Sequence, residues 1–229
     1  MNSGILQTKR VFRLTHIHWA CVTLLALTLL ATLTGPALAQ DAVKVPPTPA
    51  AITPPSGNTA YMVGHATGTQ GYVCLPSGDG ASWTVASSRP QATLFINAFG
   101  SYKLQILTHF LSPDTNPNSN APMPVPFGSP TWQSSIDSSV AWGNKYASIN
   151  AGSDPSCPTT GAIPCLLLQV IGSEKGPYGF GVLTNATWVQ RLLTTGGSAP
   201  STGCAVSTDV GSQVLIPYTA DYYFWRASK

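Results

Sequence analysis

From Asn58 onward the bulky apolar residues come in short runs rich in Val, Ile, Thr, Tyr, Phe and Trp, each closed off by Gly, Pro, Asn, Asp or Ser. Runs at 61–63, 71–75, 82–85, 92–96, 103–111 and 140–149 have the β-branched and aromatic content that suits a pleated, half-buried surface. The stretch 163–171 is apolar apart from Gln169, as a strand buried on both faces would be, although periodicity alone does not separate it from a buried helix segment. Residues 213–217 and 218–225 supply the last strands, and 187–193 is the best helix candidate. Turns this closely spaced favour an all-β, mainly antiparallel single domain over any alternating α/β scheme. The pattern allows a sandwich or a barrel, with at most one or two short helices, and does not choose between them. The Pro- and Asn-rich stretch 112–129 predicts a long surface loop, because an ordered core would not tolerate so many missing or strained backbone groups.

Ahead of that domain, residues 40–57 carry Pro46, Pro47, Pro49, Pro54 and Pro55 with almost no bulky apolar side chain. This predicts a linker or loose arm, since such a segment buries too little surface to offset its ordering entropy. Residues 1–39 have the layout of a secretory signal peptide: Lys9, Arg10 and Arg13, an apolar run at 21–34, then Ala37, Leu38 and Ala39 before Gln40. That run is 14 residues long, short of the ~20 that a bilayer requires. The expectation is an exported chain, periplasmic or extracellular, with no membrane span and a mature domain over 58–229.

The formal charge of +3 resides in the leader, because the remaining eight basic residues (11 − 3) face eight Asp and Glu. Lys44, Arg89, Lys103, Lys145, Lys175, Arg191, Arg226 and Lys229 are scattered singly, whereas a nucleic-acid surface needs clustered cations, so no nucleic-acid partner is expected.

Four cysteines follow the leader, Cys74, Cys157, Cys165 and Cys204, an even number in a chain bound for an oxidising compartment. Two disulfides are the default. Of three pairings, Cys157 with Cys165 and Cys74 with Cys204 is preferred, because Cys157 and Cys165 flank a Pro- and Gly-containing turn. A four-thiolate metal site is disfavoured because no Cys-x-x-Cys pair occurs.

The sequence holds no Gly-x-Ser-x-Gly elbow, no His-Glu-x-x-His, no phosphate-cradling loop and no dinucleotide fingerprint, so neither cofactor nor metal is expected. His65 and His109 are the histidines beyond the leader. With Asp79, Asp114, Asp137, Asp154, Asp209, Asp221 or Glu174 they could in principle assemble a His and carboxylate metal or hydrolytic site, but spacing gives this no support, and Asp137 near Ser138 and Ser139 looks like a turn. Aromatic residues are the other feature with functional promise. Trp83, Trp132, Trp142, Trp188 and Trp225 could line a pocket or a sugar-stacking surface, although most are expected to fill a core.

In order along the chain, Gly64-His-Ala-Thr-Gly-Thr-Gln-Gly-Tyr-Val-Cys74, Pro90-Gln-Ala-Thr-Leu-Phe95, Thr108-His109, Pro130-Thr-Trp132, Gly161-Ala-Ile-Pro-Cys-Leu-Leu-Leu168, Val189-Gln-Arg191, Gly196-Gly-Ser-Ala-Pro200, Thr202-Gly-Cys204 and Pro217-Tyr-Thr-Ala-Asp-Tyr-Tyr-Phe224 resemble the blocks of an exported family known as domain of unknown function 3455. The resemblance covers nearly all of 58–224 and implies membership but no activity. It departs at two points: Cys165 stands where the family pattern has Trp, and the stretch from His109 to Pro130 is longer. The resemblance therefore implies that Cys74 and Cys204 belong to the family framework and that Cys157 with Cys165 is a local addition. His65, His109, Trp132 and Arg191 are the ligand-binding candidates. The expected function is a binding or envelope-associated module for an unidentified small molecule or glycan, with a hydrolase using His65 or His109 and an Asp as the alternative. The oligomeric state is not set by the sequence.

Overall fold

A computed structural model describes residues 43–85, 91–98, 102–112, 128–177 and 179–229. The signal-peptide expectation for 1–39 and the interior of the 112–129 loop lie outside the described residues.

Among the described residues nine strands form one antiparallel sheet: β1 (Asn58–Ser77), β2 (Gly80–Thr84), β3 (Gln91–Ala98), β4 (Tyr102–Ser112), β5 (Ser129–Ser134), β6 (Val140–Ile149), β7 (Cys165–Glu174), β8 (Ala186–Gly196) and β9 (Gln213–Ala227). Their order is β2-β1-β3-β4-β5-β6-β7-β8-β9, and β1 also pairs with β9 along almost its whole length. That last pairing decides between sandwich and barrel. β1 and β3 through β9 close into an eight-stranded ring, and β2 folds back on the far end of β1. Closure removes the sheet edges that would otherwise offer unpaired backbone groups.

Two glycines allow the close approaches this ring needs. A Cβ at Gly68 would run into the Gln91 carbonyl of the neighbouring β3, and one at Gly143 on β6 would lie 3.0 Å from the Trp132 ring. Along β9 the residues alternate as a barrel wall should, with Tyr218, Ala220, Tyr222 and Phe224 in the interior cluster while Thr219 stays exposed and Asp221 pairs with the half-exposed His65 on the outer side. The cluster in the barrel interior is apolar. No helix among the described residues is long and apolar enough to cross a membrane.

Residues 187–193, the helix candidate, form the middle of β8. The reason is double burial. Val189 packs into the lumen, while Trp188 and Leu192 join a second apolar cluster on the outer side with Ile52, Leu167, Tyr223, Cys157 and Cys165. A strand covered on both faces loses its two-residue alternation, and that alternation is what separates strand from helix in a sequence. Leu193 adopts φ 51° at a register shift between Leu192 and Thr195, where its N–H donates to Ser156 O at 2.8 Å. This bulge seats the loop that carries the Cys157–Cys165 bridge.

The loose-arm expectation also needs correction for residues 43–57. Ile52 is fully buried in the outer cluster, Val43 and Val45 pack against it, and Gln190 Nε2 donates to Ile52 O at 2.6 Å. Few apolar residues suffice here because the outer face of β7, β8 and β9 already presents an apolar surface. The prolines also lower the entropy lost on ordering, since their φ is fixed in the unfolded chain too.

One end of the barrel is closed. The turn between β5 and β6 buries Asp137, whose Oδ1 accepts from Ser139 N–H (3.1 Å) and Ser139 O–H (2.7 Å) and whose Oδ2 accepts from Val182 N–H (2.8 Å). Burial opposes the charge, but the hydrogen bonds from Val182, Ser139 and Ser134 outweigh it and hold the carboxyl at about 2. The Asp137–Ser139 segment is thus a turn that pins the β7–β8 connection, and Leu183 from that connection plugs the lumen with no exposure. Disulfides Cys74–Cys204 and Cys157–Cys165 tie loops at the opposite end.

Candidate functional site

Opposite the plug, the lumen opens into a chamber of about 280 Å³, its walls mostly apolar and including Leu166, Leu168 and Ile163. Eight strands leave an interior that side chains just fill or that accepts one small ligand. Three of the four candidate residues meet in this chamber: His109 from β4, Trp132 from β5 and Arg191 from β8. The cross-strand pairing of His109 with Trp132 puts the imidazole on the indole, with centroids 4.8 Å apart and planes 11° from parallel. Tyr222 of β9 packs beside both, 5.3 Å from the His109 ring and 6.1 Å from that of Trp132.

His109 Nδ1 lies 2.9 Å from Thr131 O, a carbonyl that can only accept, so Nδ1 carries the proton and Nε2 keeps its lone pair. Burial lowers the pKa of this imidazole to about 4; the Thr131 hydrogen bond works the other way and the Arg191 charge adds to the lowering. His109 is therefore neutral at physiological pH.

Arg191 is 8% exposed, and Nη2 donates to Pro164 O at 2.8 Å. Its Nε has no hydrogen-bond partner among the described residues, and neither does Trp132 Nε1. Among those residues the guanidinium forms no ion pair, and none that lines the chamber is an Asp or Glu. Lys145 adds a second positive group at the exposed edge of the chamber. Tyr72 O–H donates to Gly197 O at 2.6 Å, and the hydroxyls of Tyr218 and Tyr222 lie 3.0 Å apart. Burial raises the pKa of Tyr72 and of Tyr218, the latter helped by its neighbour Tyr222, so both remain neutral donors.

His65 is elsewhere. It sits on β1 directly across from Asp221 of β9, with Nδ1 2.7 Å from Asp221 Oδ1 and its side chain 47% exposed. A wide groove of about 430 Å³ crosses the outer side of β1, β3 and β4, lined by Thr67, Thr93 and Thr108 among others. Those threonines are cross-strand neighbours, a pairing that stabilises a sheet by itself. Among the described residues, no group of three His, Cys, Asp or Glu side chains is placed to hold a metal ion.

Sequence reasoning missed Tyr72, Tyr222 and Lys145, which line the chamber, and Tyr218, whose hydroxyl lies 3.0 Å from that of Tyr222. The signal for two of them was present in the two-residue spacing of Tyr218, Ala220, Tyr222 and Phe224.

Fold and chamber together define a closed antiparallel β-barrel with a lumen of small-molecule size. The chain belongs to the family described as protein of unknown function (DUF3455), whose model matches residues 55–226. No curated protein and no solved structure matched the chain.

Proposed function

We propose that the protein is an exported binding module that holds one small, mainly apolar molecule in the barrel lumen, acting in the periplasm, outside the cell or at the envelope. The observation that carries this is the chamber itself: mostly apolar walls at the end of the barrel opposite Leu183, with a few buried polar groups converging on them. Its ~280 Å³ lies just below the usual range of about 300–1,000 Å³ for ligand pockets, which suits a compact ligand. Export is supported by the leader pattern in 1–39 and by two disulfides, which persist in oxidising compartments.

The hydrolase alternative draws on the His65–Asp221 pair, which has the distance of a base and its orienting carboxylate. That pair lies on the exposed wall, and His109 has no hydrogen bond to a carboxylate among the described residues, so the chamber reading is the better supported.

N-phenyl-1-naphthylamine, a neutral probe that fluoresces in apolar surroundings, tests the proposal. Saturable enhancement at one probe per chain is expected, and Leu166→Trp, which fills the chamber, should abolish it without lowering the melting temperature by more than a few degrees. Enhancement that survives Leu166→Trp would place binding outside the lumen and refute the proposal.

A further inference from the structure

We propose that the chamber is built for an organic anion, a small molecule with a single carboxylate on an apolar body, the carboxylate seated on Arg191. This rests on the reading that the lumen binds a small molecule, and it names the chemical class. A guanidinium carries five N–H donors in a planar fork that matches a carboxylate. Arg191 is more than nine-tenths buried, lines the chamber and gives one of those donors to Pro164 O, and its remaining N–H groups, the enclosed Nε included, have no hydrogen-bond partner among the described residues. Buried charges are ordinarily paired, because an uncompensated one is costly. Tyr72, His109 and Tyr218, whose pKa values the Arg191 charge lowers, are all uncharged at neutral pH.

The rest of the chamber fits the same ligand. Among the described residues no carboxylate on its walls competes for the guanidinium, and Lys145 at the rim adds to the positive potential. Leu166, Leu168 and Ile163 offer apolar surface to the body of the molecule. One buried cation among so many apolar groups favours a monoanion with a hydrocarbon or aromatic body over a free, strongly hydrated phosphate.

Isothermal titration of the oxidised protein with 3-phenylpropionate, its neutral amide and inorganic phosphate tests this. The acid should bind at least tenfold tighter than the amide, and phosphate alone should not bind. Arg191→Met should erase the preference for the acid while leaving the amide affinity within twofold. His65→Ala, on the outer wall, should change neither. Equal affinity for acid and amide, or a preference that survives Arg191→Met, overturns the anion assignment and leaves lumen binding standing. Failure of both acid and amide to bind, together with the neutral naphthylamine, removes the lumen reading and this proposal with it. Should Arg191→Met not fold, the Arg191 Nε–H resonance of the unmodified protein decides: it should shift with the acid and stay still with the amide, and the same shift with both refutes the assignment.

Discussion

Lowering the pH should weaken the protein through His109 well before the carboxylates protonate. The imidazole is buried against Trp132 and Tyr222, faces the Arg191 charge, and donates Nδ1–H to Thr131 O. Burial brings its pKa from 6.5 to about 4. Because the folded value lies below the unfolded one, the unfolded chain takes up the proton first as pH falls. Stability is therefore whole above pH 6.5 and declines through the interval down to about 4. Linkage puts the loss at about 2 kcal/mol at pH 5 and about 3 kcal/mol at pH 4. Urea unfolding followed by tryptophan fluorescence should show the midpoint dropping by about 1 M between pH 7 and pH 5, for a slope near 2 kcal/mol per M. His109→Gln loses the ring contacts and starts less stable, but its midpoint should be nearly flat over the same interval. A flat profile in the unmodified protein, or an equally steep one in His109→Gln, would refute the argument that this imidazole is buried and neutral.

Three further outcomes are expected. Asp137→Ala should cost about 3 kcal/mol by urea unfolding, since Val182 N–H and Ser139 N–H both lose a buried acceptor; the Asp137 contribution should itself fade only as pH falls from 3.8 toward about 2, below the His109 interval. Ile52→Ala should cost about 3 kcal/mol and expose residues 43–57 to limited proteolysis, because its side chain is fully buried on the outer face of the barrel. Replacing Cys157 and Cys165 together with Ser should lower stability by about 2–3 kcal/mol, and replacing Cys74 and Cys204 by more, because the closed loops span 8 and 130 positions respectively.

The all-β character was legible because most strands have one wetted face, so β-branched and aromatic residues alternate with polar ones and glycines mark the ends. What could not be read was closure. Nothing local in β1 or β9 announces that Met62 to Val73 pairs with Gln213 to Phe224 across more than half the chain, and that pairing alone turns the sheet into a barrel. β8 misled for a physical reason, since Trp188, Gln190 and Leu192 are covered from outside as Val189 and Arg191 are from within. The Pro-rich arm misled because composition describes a segment and not the apolar surface waiting for it.

Of the candidate site, His109, Trp132 and Arg191 were visible only as separate points in the sequence, and register brings them to one chamber. His65 shares a block with glycines that shape the barrel but points the other way, because it is one residue out of phase with the inward-facing Gly64 and Ala66. The hydroxyl groups of Tyr72 and Tyr218 could not be assigned from pattern, since an inward tyrosine in a barrel is first of all a packing residue.

The most direct test of the account uses protein labelled with ¹⁵N at its tryptophan indoles and titrated with 3-phenylpropionate. Trp132 Nε1–H, buried against His109 in the lumen, should shift progressively and saturate, while Trp83 Nε1–H, which donates to Thr202 O outside it, should stay in place. A titration that moves Trp83 and leaves Trp132 unchanged, or moves neither, would contradict the claim that the barrel interior is the binding site.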